Sequence, residues 1–226
     1  MGTTHDAASV VIRAEAGGED LALADGLCGL DPAALRAVVV RTLRQVGLAQ
    51  PLQVDVLVTD DETLRTLNRS YRGRDEVTDV LSFPLAEAPL VQAPADELWG
   101  SGEADVEDDL AVSRRDAELD TLVVSHGGVF DPDEPSGDEQ PAEHSAQPAA
   151  FRAPSELPQH LGDVVVARDV VARQAQAAGH SPAWELAYLV AHGVLHLVGY
   201  DDHTDAGYAA MVAHQEAVLR EIGLQP

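Results

Sequence analysis

The sequence predicts an α+β fold: a mixed β-sheet of about four strands packed with about five helices, with a candidate metal site on a central buried helix. Three observations lead there. Segments of strand-like and helical hydrophobic spacing are interspersed along the chain rather than grouped. One helical stretch, from Ser181-Pro182 to Gly199, is apolar almost all round and so belongs inside. Residues 86–159 differ in composition from the rest, leaving about 152 residues for a single domain over 1–226 with an insertion in it, enough for a normal core.

The elements follow in order. Residues 8–14 read as a strand, and Asp31 caps a helix that has Pro32 at its first position and ends at Gly47. Leu35, Val39, Leu43 and Val46 form its buried face. Leu52 to Thr59 alternates apolar and polar residues, as a half-buried strand does. Asp60 or Asp61 caps the next helix, with Leu64, Leu67 and Tyr71 on one side. Val80 to Phe83 is a short strand closed by Pro84. Gly162 to Ala167 is a further strand, followed by a helix over about 169–178 and then Gly179. After the central helix, a last one spans about 205–222, with Tyr208, Met211, Val212, Val218 and Leu219 facing inward. The helices are expected on one side of the sheet.

Residues 86–159 carry about 18 acidic and 3 basic residues and most of the prolines, and so account for about −15 of the net charge of −25. Such a composition buries too little apolar surface to offset ordering, so the segment is expected to be a disordered acidic insertion, with one weak strand at Leu122-Val123-Val124. His126 and His144 within it are assigned to solvent.

Charge also excludes function classes. The 14 basic residues are all arginine, against 39 acidic ones. That rules out the global basic footprint of a non-specific DNA binder and a polybasic membrane patch. The single cysteine, Cys28, forms no intramolecular disulfide and no cysteine-based zinc site; it reads as a small, partly buried apolar residue of a reducing compartment. Met1 to Asp20 lacks an apolar signal core, and Leu186 to Val198 is too short to span a bilayer. A soluble cytoplasmic protein is expected.

The chemistry concentrates near the carboxyl end. His192 and His196 stand four apart, so both leave one helix face a turn apart, the geometry of two zinc ligands from one helix. Gly199 stops the helix, and His203 follows four residues later. Three imidazoles with one open position make a catalytic rather than a structural zinc site, with one Zn2+ per chain. The residue after the first histidine is Gly193, where zincin proteases place a glutamate base, so that route to peptide hydrolysis is disfavoured.

The run His192-Gly193-Val194-Leu195-His196-Leu197-Val198-Gly199-Tyr200-Asp201 resembles the signature of the YbeY family of bacterial endoribonucleases. Two further blocks agree. Asn68 to Asp75 with Thr78-Asp79-Val80-Leu81-Ser82-Phe83-Pro84 resembles the family's Asn-x-x-Tyr-Arg and Thr-Asp-Val-Leu-Ser-Phe-Pro motifs, and Leu161-Gly162-Asp163-Val164 its Leu-Gly-Asp-Ile strand. The signature usually ends Gly-Tyr-Asp-His, whereas this chain has Asp202 before His203. Either the turn bulges and His203 reaches the metal, or Asp202 takes the third position by count; His203 is the expected ligand.

The resemblance implies a zinc-dependent, single-strand-specific endoribonuclease of 16S rRNA 3′-end maturation and ribosome quality control. Its implied partners are single-stranded rRNA and the small ribosomal subunit with its associated proteins, and neither DNA nor membrane. Arg72 matches the family's functional arginine, a role that suits an always-charged, bidentate phosphate ligand. Arg69 and Arg74 flank it as solvated charges. Asp201 is either an orienting partner for a ligand imidazole or a turn former. Asp79 and Asp163 are expected to hold strand ends. A metallohydrolase with another substrate and a non-cutting, metal-binding assembly factor remain the rival readings.

Overall fold

A computed structural model of the chain describes residues 8–16, 19–48, 51–100 and 158–226. All of them belong to one compact unit. Its elements are β1 (Ala8–Ala16), β2 (Glu19–Asp20), α1 (Leu23–Gly26), α2 (Pro32–Gln45), β3 (Leu52–Thr59), α3 (Asp61–Arg72), β4 (Val80–Pro84), β5 (Gln159–Ala167), α4 (Arg168–Ala178), α5 (Pro182–Val198) and α6 (Asp205–Glu221). The α+β class holds: a five-stranded sheet in the order β2-β1-β3-β5-β4, parallel through β1, β3 and β5 and antiparallel at both edges. The strand beyond the expected four is the two-residue β2, and α1 is a single turn added to five longer helices. Neither is long enough to show a hydrophobic period.

Helix starts follow from the side chains that the sequence offers. Asp31 accepts from the amides of Ala33 and Ala34, Asp60 from Thr63, Ser181 from Trp184, and Thr204 from Gly207, each satisfying first-turn donors that have no partner within the helix. The Asp60 cap settles the two candidates for α3.

The principal core lies between one sheet face and α2, α5 and α6. Val54, Val56 and Val58 of β3 and Val164 and Val166 of β5 point into it. Eleven of the 17 residues of α5 are buried, as its all-round apolarity requires. The alternate residues, Leu57, Val165 and Ala167, point to the other face and meet Leu64 and Leu67 of α3. Helices therefore cover both faces, not one as expected. Of the apolar face expected on α3, Leu64 is fully buried, Leu67 is partly buried and Tyr71 remains exposed. Tyr208, expected inside α6, is also exposed, whereas Met211, Val218 and Leu219 are buried.

The boundary of the acidic insertion also moves. Residues 86–100 pack on the body, with Val91 buried and Leu90, Ala93 and Leu98 against the core, because a few apolar residues here find the carboxyl end of α5 to cover. Residues 101–157 of that segment, including Leu122-Val123-Val124, His126 and His144, lie outside the described residues, and Gln159 already belongs to β5.

α5 sits unusually close to the sheet. A Cβ on Gly193 would stand 2.6 Å from Val164 Cγ1 and 3.1 Å from Ser82 Oγ, and that hydroxyl donates to the Gly193 carbonyl at 3.2 Å. This contact lets no side chain follow His192, so the zincin glutamate is sterically excluded as well as absent. Gly193→Ala is accordingly expected to lower unfolding stability by about 1–3 kcal/mol by overpacking, although alanine favours a helix by about 1 kcal/mol. Urea denaturation of the variant checks this.

Candidate active site

α5 presents His192 and His196 one turn apart, with their Nε2 atoms 3.0 Å from each other. On the far side of His196, Nδ1 lies 3.0 Å from the Tyr200 carbonyl oxygen. A carbonyl only accepts, so Nδ1 carries the proton and Nε2 keeps its lone pair. Burial foremost, then the neighbouring His192, pull the His196 pKa from 6.5 down to about 4; Asp202 and the Tyr200 carbonyl oppose this only in part. At neutral pH His196 is therefore an uncharged donor.

A stability prediction follows. In chelator-treated protein the unfolded chain takes up a proton at His196 below pH 6.5, and the folded chain does so only near pH 4. Stability should fall as pH drops through that window, by at most roughly 3 kcal/mol. Urea midpoints between pH 4 and 7 test it.

Gly199, at φ +123°, ends α5 against Pro89 and turns the chain back over the histidines. The turn brings Asp202 to them: its carboxylate oxygens lie 3.7 Å from His192 Nε2 and 3.9 Å from His196 Nε2. His192, His196 and Asp202 offer donor atoms that all lie within 4.8 Å of one another. His203, the expected third ligand, does not join that group. Its Nδ1 is held by Asp201 Oδ1, it groups instead with Asp201 and Asp202, and its side chain is 46% exposed against 22% and 20% for His192 and His196. Asp201 thus orients an imidazole, that of His203.

Arg72 faces the same cleft, about 170 Å³ in volume, which His192, His196, Asp202, Thr78 and Ser82 also line. Several contacts fix its position at the end of α3. Buried Asn68 donates to the Glu76 carbonyl at 2.9 Å, Arg65 grips Asp75 through two bonds of 2.8 and 3.0 Å, and Tyr71 packs edge-on to Phe83 of β4. Gly73 closes the helix in the left-handed region, at φ +70°. Partial burial, then the repulsion of Arg74, lower the Arg72 pKa, yet a guanidinium stays charged at neutral pH. Arg69 is exposed and Arg74 half-buried.

Asp79 bonds its own strand start, the Val80 amide, and accepts from Gln174 at 3.0 Å; it holds a strand end, as expected, while also lining the cleft. Asp163 sits in β5 opposite Asp55. With His160 these two form another group of closely spaced donors, but they are not part of the cleft. Donor proximity alone therefore does not single out a site; the cleft and its arginine do. Cys28 is partly buried, packs on the core, and has its thiol pKa raised by burial. Among the described residues no helix is long and apolar enough to cross a membrane.

The site residues that sequence reasoning missed are Trp99, which donates its indole N–H to the His196 carbonyl at 3.2 Å, and the cleft hydroxyls of Thr78 and Ser82. The only sequence signal for Trp99 is a lone indole in an acidic, proline-rich stretch.

Residues 31–223 match the family described as Endoribonuclease YbeY. The chain belongs to that family. The match takes in α2 through α6, and so every cleft residue named above. The YbeY relatives include the protein named Endoribonuclease YbeY of Roseiflexus sp. (strain RS-1), 32% identical over 86% of each chain. Another is that of Moorella thermoacetica (strain ATCC 39073 / JCM 9320), 34% identical over 79% of this chain and 78% of its own. A solution structure of a Thermotoga maritima protein superposes with a TM-score of 0.46 at 18% identity, covering 95% of this chain and 89% of that one.

Proposed function

We propose that this YbeY-family chain is a zinc-dependent, single-strand-specific endoribonuclease acting in 16S rRNA 3′-end maturation and ribosome quality control. Its partners are the small ribosomal subunit and its proteins, in the cytoplasm. The observation that carries this reading is one cleft holding both a metal-type donor set and a fixed arginine.

The donor set fits a small divalent ion. Tetrahedral coordination at about 2.0–2.2 Å leaves neighbouring donor atoms roughly 3.3–3.6 Å apart. Separations of 3.0, 3.7 and 3.9 Å bracket that spacing. A neutral His196 with its proton fixed on Nδ1 is already in the ligating tautomer. These distances favour Asp202 over His203 as the third ligand. His203 stays alongside, turned by Asp201.

When bound, the ion supplies Lewis acidity and lowers the pKa of a water molecule. The protein's own residues do the rest. Arg72 binds a phosphodiester oxygen and counters the charge that grows there during cleavage. Thr78 and Ser82 also line the cleft, their hydroxyls donating to Asp79 and to the Gly193 carbonyl and so tying the cleft floor together. The cleft, about 170 Å³ in volume, suits one backbone phosphodiester at a time, which supports a strand rather than a small metabolite as substrate. The charge of −25 repels RNA at a distance, but salt screens it beyond about 8–10 Å, so Arg72 acts locally.

The test is cleavage of labelled single-stranded RNA and its matched duplex by the full chain. Cutting of the single strand alone, abolished by chelation and restored by added zinc, is the expected result. Chelator-insensitive cleavage, or equal cutting of both substrates, overturns the proposal.

A further inference from the structure

The last turn of any helix leaves carbonyls without intrahelical partners. In α5 that turn holds a proposed metal ligand, and its carbonyls take bonds from a distant segment in addition to the Gly199 amide, which donates to the His196 carbonyl at 3.2 Å. The Leu90 amide donates to Val198 at 2.9 Å, the Trp99 amide to Gly199 at 3.0 Å, and the Trp99 indole to His196 at 3.2 Å. Contacts continue into the turn beyond. Leu98 forms a β-bridge with Tyr200, the Asp201 amide donates to the Glu97 carbonyl at 3.0 Å, and the Thr204 hydroxyl donates to the Asp96 carbonyl. Pro89 sits so close to Gly199 that a Cβ there would stand 2.6 Å away.

Residues 89–99 therefore form a strap, tied at one end to the helix terminus and at the other to the turn that carries Asp201, Asp202 and His203. Its bonds bracket the Tyr200 carbonyl that fixes the His196 tautomer.

We infer that this strap is a working part of the metal centre, with Trp99 as the positioning residue that sets the Asp202 turn against His196. The inference rests on the metal reading above. Groups that orient ligands from behind typically change metal affinity by about 10–100-fold when removed. Trp99 does not line the cleft; it acts through the His196 carbonyl and, by its amide, through Gly199.

The test uses the full chain, stripped of metal and titrated with Zn2+ and Co2+ against a competing chromophoric chelator. Trp99→Phe keeps an aromatic ring and loses the indole donor. It should bind Zn2+ about 10–100-fold more weakly and shift the visible bands of bound Co2+. Trp184→Phe is the matched control. Trp184 stacks on Tyr188 at the opposite end of α5, so that variant should bind as the wild type does.

The chain has two tryptophans, so Trp184→Phe also leaves Trp99 as the sole indole. Its emission should change during a Zn2+ titration and saturate at one ion per chain. This readout stands even if Trp99→Phe fails to fold. Wild-type affinity and unchanged Co2+ bands in a folded Trp99→Phe, or Trp99 emission indifferent to saturating zinc, overturns the inference. If the wild type itself binds no ion, or His196→Ala binds as tightly as the wild type, the metal reading has failed instead.

Discussion

Removing the Asp202 carboxylate, as Asp202→Ala, is expected to lower zinc affinity by more than about 100-fold, while His203→Ala lowers it by less than about 10-fold. The ordering comes from geometry. The Asp202 oxygens lie within 4 Å of both helix imidazoles, and the His203 ring is committed through Nδ1 to Asp201 and half exposed. Loss of a direct ligand should exceed the 10–100-fold typical of an orienting group. Asp202→His restores a third imidazole at the position where the carboxylate now sits, and should regain most of the zinc affinity. The measurement is metal per chain after dialysis, together with competition titration, for each variant. A larger loss from His203→Ala than from Asp202→Ala would assign the third position to His203 and mean that the turn rearranges around the ion.

The extra acidic residue before His203 shows what a sequence conveys about such a site and what it leaves open. Helical spacing alone puts His192 and His196 on one face, because i and i+4 always share a face. Past Gly199 no period constrains the chain, so one residue more or less decides which side chain swings inward. What decides it here is long-range: Glu97 and Asp96 hold the turn from a strap about a hundred positions away. No local pattern encodes that pairing. Arg72 was singled out for a different reason, as part of a dense motif block, and it lines the same cleft as the histidines. Its alignment with the histidines, however, depends on α3 docking its Tyr71 on Phe83 of β4.

The fold divides the same way. Among the described residues, each element of five residues or more was legible from caps, periodicity and terminal glycines, because those are local properties. What failed was the assignment of surfaces. The apolar face of α3 does not say which side of the sheet it covers, and Val165 and Leu81 on the far side are what it meets. Residues 86–100 looked too polar to pack, since composition averages over a window, whereas burial depends on where a few side chains such as Val91 and Leu98 land.

Arg72→Ala is expected to reduce RNA cleavage by about 100- to 1,000-fold while leaving metal content at the wild-type level, since removing one well-placed donor to a charged transition state costs about that much. The separation of the two readouts carries the argument. Arg72 is the last residue of α3, on a different element from the α5 donors, and the Asp202 carboxylate acts electrostatically on it. Deleting the guanidinium removes an attraction from Asp202 but no ligand, so the ion should stay. Asn68, Arg65 and Tyr71 hold this corner through contacts that the substitution leaves in place, so the variant is expected to fold, and circular dichroism checks it. Arg72→Lys keeps the charge and loses the planar two-pronged grip, so it should recover only part of the rate. Single-turnover cleavage with saturating enzyme measures these rates, and binding to a non-cleavable strand measures affinity separately. A loss confined to affinity, with the rate at saturation unchanged, would make Arg72 a docking residue that holds the strand equally before and during the reaction. A variant that also lost its metal would place the guanidinium among the supports of the donor set.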